Sequence, residues 1–97
     1  MNITEHLLTC LTEECAEVQK AVSKALRFGL EDGYPGGDTT NAQDIAKEVI
    51  HLMAVIDMLK EQGIIAQLKG EASIYDSKRN RVLEYIDYAR STGALID

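Results

Sequence analysis

Tryptophan is missing from the sequence, and phenylalanine and proline each occur once. With few large aromatics and nothing to suggest disulfide staples, the core of this 97-residue chain is expected to be marginal, because one so short typically buries only roughly 60–65% of the surface its unfolded form exposes. Hydrophobic residues nonetheless make up 45% of it, so association is the expected source of further burial. The two cysteines, Cys10 and Cys15, lie five apart on one predicted helix and point in different directions, with no CxxC pair and no secretory leader. They read as reduced thiols in a cytosol, serving as small core residues. No apolar stretch is long enough to span a membrane, and no targeting sequence is identifiable. Positive charge is scarce too: Lys and Arg number 10 against 16 Asp and Glu, a formal charge of −6, which argues against a generic nucleic-acid or anionic-membrane surface. Strand-period alternation, internal repeats and low-complexity tracts are all absent. What remains is a single all-α domain over residues 1–97.

Helical spacing and punctuation divide the chain. Asn2 or Thr4 can cap a first helix whose apolar positions, Leu7, Leu8, Leu11, Cys15, Val18, Val22, Ala25 and Leu26, recur at threes and fours up to about Phe28, where Gly29 can end it. Four of the seven glycines and the one proline fall between Gly29 and Thr40, turn chemistry that predicts a flexible connection. Its length, at the upper edge for a plain connector, suggests a place beside a binding site. Thr40 and Gln43 have the form of a capping box, and Ile45, Val49, Leu52, Met53, Ile56 and Leu59 give a second long helix closed by Gly63. A short helical piece over Ile64 to Lys69 is predicted next. Ser73 or Asp76 then caps a last helix through about Arg90, ended near Gly93, with Tyr75, Val82, Tyr85, Ile86 and Ala89 as its buried face. Two long helices joined by a loop should pack antiparallel, with shorter C-terminal helices beside them, and a second copy completes a four-helix bundle. A dimer is the simplest oligomer and a tetramer the next.

The charged residues of the first helix are ordered. Glu13, Glu14 and Glu17 occupy one end, and Lys20, Lys24 and Arg27 follow at steps of three, four and three along one flank. A hard divalent cation needs oxygen ligands, and a polyphosphate bound to it needs cations for its remaining charge, so this stripe can hold a metal–phosphate complex. A solvated charged face is the plainer alternative. On the second helix Asp44, Glu48 and His51 share a flank at spacings of four and three. If the two helices bring these flanks together, the gathered carboxylates repel one another until a cation such as Mg²⁺ or Mn²⁺ neutralises them. If the flanks face different sides, no such site forms.

The stretch Glu13-Glu14-Cys15-Ala16-Glu17, followed on the next helix by Glu48-Val49-Ile50-His51, resembles the E-E-x-x-E and E-x-x-D halves of the MazG-like all-α nucleoside triphosphate pyrophosphohydrolases, with His51 where that family has Asp. The resemblance covers both long helices, and the run from Glu14 to Gly29 looks particularly like small phage-encoded members, in which case the cytoplasm is that of a host. It implies a Mg²⁺-dependent hydrolysis of a (deoxy)nucleoside triphosphate to monophosphate and pyrophosphate, in control of the nucleotide pool. By position it implies Glu14, Glu17 and Glu48 as metal ligands, and Glu13 as a further ligand or the group that orients water. At the departing position, His51 can ligate a softer ion such as Mn²⁺, or Asp44 can supply the carboxylate one turn earlier. Lys20, Lys24 and Arg27 are the first candidates to hold the phosphates, and Lys78, Arg79 and Arg81 of the last helix, or of a neighbouring subunit, the second. The competing function is a non-catalytic helical interaction or nucleotide-binding module that keeps the scaffold.

Overall fold

The computed structural model describes all residues, Met1–Asp97, and contains three helices and no strand: α1 (Ile3–Phe28), α2 (Asn41–Glu61) and α3 (Glu71–Thr92). No helix is long and apolar enough to cross a membrane. The chain divides into two compact units, Met1–Ala66 and Gln67–Asp97.

In the first unit the caps set the helix limits. Asn2, not Thr4, starts α1: its side-chain oxygen accepts the Glu5 backbone N–H at 2.8 Å, and its amide donates to the Glu5 carboxylate at 3.2 Å. Such a cap stabilises a helix by about 1 kcal/mol. The Gly29 N–H donates to the Ala25 carbonyl at 2.8 Å and α1 stops there. At the start of α2 the capping box closes in both directions, Gln43 N–H to Thr40 Oγ1 at 3.1 Å and Thr40 N–H to Gln43 Oε1 at 2.9 Å.

Helices α1 and α2 pack on one another antiparallel: Gly29 meets Asn41 at one end, while Glu14 meets Glu48 and His51 farther along. The seam is a pair of stripes with alternating steps of four and three, the spacing of a two-helix interface. From α1 come Leu7, Leu11, Glu14, Val18, Ala21 and Ala25; from α2, Asn41, Ile45, Glu48, Leu52, Val55 and Leu59, and all twelve are buried or half-buried. Leu59 is wholly enclosed. Each stripe thus carries one glutamate in its middle.

Several apolar positions expected inside lie outside this seam. Leu8, Val22, Leu26, Val49 and Met53 are exposed, Leu26 at 83%. Cys15 is exposed as well, and only Cys10 is half-buried, so the thiols are not both core residues. Each helix carries a second apolar flank, and one partner helix covers only one of the two.

The connection from Gly29 to Thr40 is held at its base. The Asn41 N–H donates to the Asp32 carbonyl at 2.6 Å, the Ala42 N–H to the Leu30 carbonyl at 3.0 Å, and the buried Asn41 side-chain amide to the Gly29 carbonyl at 2.9 Å. Gly33 packs so tightly on the Thr39 backbone that any Cβ there would collide with the Thr39 carbonyl.

Beyond α2 the predicted helical piece over Ile64 to Lys69 does not form. Gly63, at φ 68, donates its N–H to the Lys60 carbonyl at 3.0 Å, and the Ile64 N–H reaches the Leu59 carbonyl at 2.9 Å. This paired cap turns the chain off the helix axis. Ile64 and Ile65 become half-buried through that turn instead of by continuing a helix.

In the second unit α3 begins at Glu71, directly after Gly70, with no side-chain cap, so neither Ser73 nor Asp76 starts it. Ile74 already donates its N–H to the Gly70 carbonyl at 3.1 Å. In place of shorter C-terminal helices there is one of 22 residues, ended at Gly93, whose N–H donates to the Arg90 carbonyl at 3.1 Å. None of its residues is buried: Tyr75, Val82 and Tyr85 of the expected inner face are exposed, and Ile86 and Ala89 half-buried. Arg90 grips Asp97 with a bidentate pair of bonds at 2.9 and 2.9 Å, which folds the C-terminal residues back on the helix end.

Candidate metal centre and phosphate cleft

The two seam glutamates face each other. One oxygen of Glu14, Oε2, is shut off from solvent with no hydrogen-bond partner. His51 stands at the edge of the seam, its Nδ1 3.3 Å from Glu48 Oε2 and 4.0 Å from Glu14 Oε2. One ligand atom from each of Glu14, Glu48 and His51 falls within 4.8 Å of the other two. The side chains of Glu14 and Glu48 are 26% and 18% exposed, against 50% for His51, so the trio forms a half-enclosed notch open on the histidine side.

This arrangement leaves an electrostatic debt in the protein alone. A buried acceptor without a donor costs about 1–3 kcal/mol, and a second carboxylate beside it adds repulsion. The half-exposed His51 offers one N–H at most toward the pair, at a distance that favours Glu48. A cation seated among the three atoms satisfies both carboxylates at once, and the donor set of two carboxylates and an imidazole suits Mn²⁺ at least as well as Mg²⁺.

Glu48 also lines a cleft of about 310 Å³ that runs from the notch toward the connection, walled by Glu17, Lys20 and Lys24 of α1 and by Asp44 and Lys47 of α2. Three ammonium groups therefore flank a space that one member of the carboxylate pair, Glu48, borders. Asp44 Oδ1 accepts a hydrogen bond from Thr39 Oγ1 at 2.8 Å, which ties it to the connection and leaves it outside the His51 trio. Of His51 and Asp44, the structure brings His51 to Glu14 and Glu48.

The other sequence candidates are distributed unevenly. Glu17 is exposed in the cleft, one turn from the trio. Glu13 is exposed and belongs to neither trio nor cleft. Arg27 lies outside the cleft, with its guanidinium 4.7 Å from the Phe28 ring centre. Lys78 and Arg81 border a separate shallow cleft of about 240 Å³ with Ser77, and Arg79 sits 5.8 Å from the Tyr75 ring centre, all within α3. Lys47 and Asn41 were not among the candidates, yet both line the lysine-bearing cleft. Lys47 stands three residues after Asp44, on the flank that carries Asp44 and Glu48, so the same spacing points to it.

Scanned against models of known protein families the chain matches none, and no curated protein and no solved structure matches it.

Proposed function

We propose that the chain is a divalent-metal-dependent nucleoside triphosphate pyrophosphohydrolase, converting a (deoxy)nucleoside triphosphate and water to monophosphate and pyrophosphate. The observation that carries this reading is the meeting of Glu14, Glu48 and His51 around an unpartnered carboxylate oxygen, with Glu48 also bordering a lysine-lined cleft. The pyrophosphate-releasing reaction itself comes from the likeness of the E-E-x-x-E stretch to the MazG-like enzymes. Glu14, Glu48 and His51 would hold Mn²⁺ or Mg²⁺; when bound, such an ion polarises a phosphoryl oxygen and acidifies coordinated water. Lys20, Lys24 and Lys47 neutralise the phosphate oxygens and take up charge on the departing pyrophosphate. Glu17, in the cleft but outside the trio, would orient water by accepting its hydrogen bond.

The exposed position of Glu13 and the histidine at position 51 favour one alternative, a nucleotide-binding module without turnover. Pyrophosphate release from a panel of nucleoside triphosphates, with Mn²⁺ or Mg²⁺, separates the two: hydrolysis abolished by Glu48→Gln supports the enzyme, and binding with no release supports the module.

We further infer a homo-oligomer in a reducing cytosol, because the free thiols Cys10 and Cys15 are unpaired and the second apolar flanks of α1 and α2 lack cover within the first unit. Light scattering at micromolar concentration should give a mass above the 10.7 kDa of one chain. A stably folded monomer would count against it.

A further inference from the structure

We propose that a second cleft, between the C-terminal end of α1 and the 29–40 connection, takes the nucleobase of the molecule whose phosphates occupy the lysine-lined cleft. This deepens the reading above and rests on it.

The second cleft has a volume of about 360 Å³, within the usual range for small-ligand sites, and is bordered by Phe28, Gly33, Tyr34 and Pro35. Of the five aromatic residues in the chain, three tyrosines lie in α3; the only two in the first unit, Phe28 and Tyr34, line this one space. Both rings are largely open to solvent, at 56% and 81%, so packing within the chain does not account for their placement. Aromatic faces held open beside a cleft suit a planar heterocycle, because every base offers a π-face. The Arg27 guanidinium 4.7 Å from the Phe28 ring centre adds a delocalised cation to the same end.

Continuity fixes which ring belongs there. Lys24, Asn41 and Asp44 border both clefts, so the two spaces join. Along α1 the order is metal notch, lysines, aromatic end, and the 14 residues from Glu14 to Phe28 rise about 21 Å at 1.5 Å each, comparable to an extended nucleoside triphosphate. A nucleotide lying along α1 would have its phosphates near Glu48 and the lysines and its base near Phe28 and Tyr34. The rigid walls support this: Asn41 pins the base of the connection through Gly29 and Asp32, and Gly33 closes on Thr39.

The test is calorimetric binding to the full chain with Mn²⁺, using two probes: a nucleoside triphosphate with a non-hydrolysable α,β-imido bridge, and inorganic tripolyphosphate. Wild-type protein should bind the nucleotide more tightly. Tyr34→Ala and Phe28→Ala, at exposed positions that the helical fold does not need, should each weaken the nucleotide by about tenfold, within the range for loss of one stacked base, and leave tripolyphosphate unchanged. Tyr34→Phe should restore the nucleotide affinity. If tripolyphosphate binds but nucleotide affinity ignores both truncations, the base cleft is overturned and the phosphate site stands. If neither probe binds wild-type protein, the functional reading fails along with it.

Discussion

Replacing Glu14 by glutamine should make the metal-free protein more stable and the metal-loaded protein less so. Glu14 Oε2 is sealed from solvent without a partner, and the Glu48 carboxylate stands close by in the seam. An unsatisfied buried acceptor costs about 1–3 kcal/mol. The Glu14 side chain keeps 26% of its surface, so its other oxygen reaches water and the lower end applies, about 1 kcal/mol. A glutamine amide has nearly the same shape, removes one of two like charges and can donate toward Glu48. The lost contact to His51, 4.0 Å long and half-exposed, offsets at most a fraction of this. For a chain of this size a 1 kcal/mol gain raises Tm by roughly 4–8 °C. Metal reverses the order: at 100 times its Kd an ion stabilises the wild-type fold by about 2.7 kcal/mol, and a variant lacking a charged ligand gains far less. Thermal unfolding followed by circular dichroism, at one protein concentration, in chelator and then in Mn²⁺, gives both numbers. An E14Q protein no more stable than wild type in chelator, with an undiminished response to Mn²⁺, would refute the reasoning.

Two further substitutions probe the site and its scaffold. His51→Asp makes the ligand set all carboxylate, so titration should show Mg²⁺ gaining on Mn²⁺, while the third like charge lowers metal-free stability; an unchanged Mn²⁺ to Mg²⁺ ratio would exclude His51 as a ligand. Asn41→Ala removes the buried amide that donates to the Gly29 carbonyl at 2.9 Å, leaving that carbonyl the Asp32 N–H at 3.4 Å, and should cost about 1 kcal/mol in denaturant unfolding. A loss below measurement error would mean that the base of the connection is not held by that bond.

Several helix ends were legible in the sequence, because a cap is a local chemical event: Thr40 with Gln43, Gly29 and Gly93 stand where residue type places them, whereas residue type left Asn2 and Thr4 open and pointed to Ser73 or Asp76 where α3 follows Gly70 without a side-chain cap. Gly63 was legible as a stop, but not the paired cap through Leu59 and Lys60 that redirects Ile64 and Ile65. Which apolar residues face inward was only half readable. Helical periodicity marks Leu7, Leu11, Val18 and Ala25 and, one residue over, Leu8, Cys15, Val22 and Leu26 as a single broad stripe; only the partner helix decides that the first set is covered. The site shows the same division. Glu14, Glu48 and His51 could be nominated from motif spacing, yet nothing local says that Glu14 and Glu48 replace apolar residues in the seam, since that depends on register between helices. Nor does spacing say that Asp44 stands outside the trio, engaged instead by the Thr39 hydroxyl across the connection.

The two backbone bonds at the foot of the connection, Ala42 to Leu30 and Asn41 to Asp32, separate it into a fixed collar and an outer tip. Because the collar sets how α1 meets α2, the tip can change length or composition without shifting the carboxylate pair, and doubling a loop's length costs only about 0.6 kcal/mol in closure entropy. The tip is thus a replaceable cartridge: Tyr34 to Asp38 can be exchanged while Glu14 and Glu48 keep their places in the seam. Gly33, just before the tip, has to be kept in such an exchange, because the ring of the collar closes through the space its missing side chain leaves.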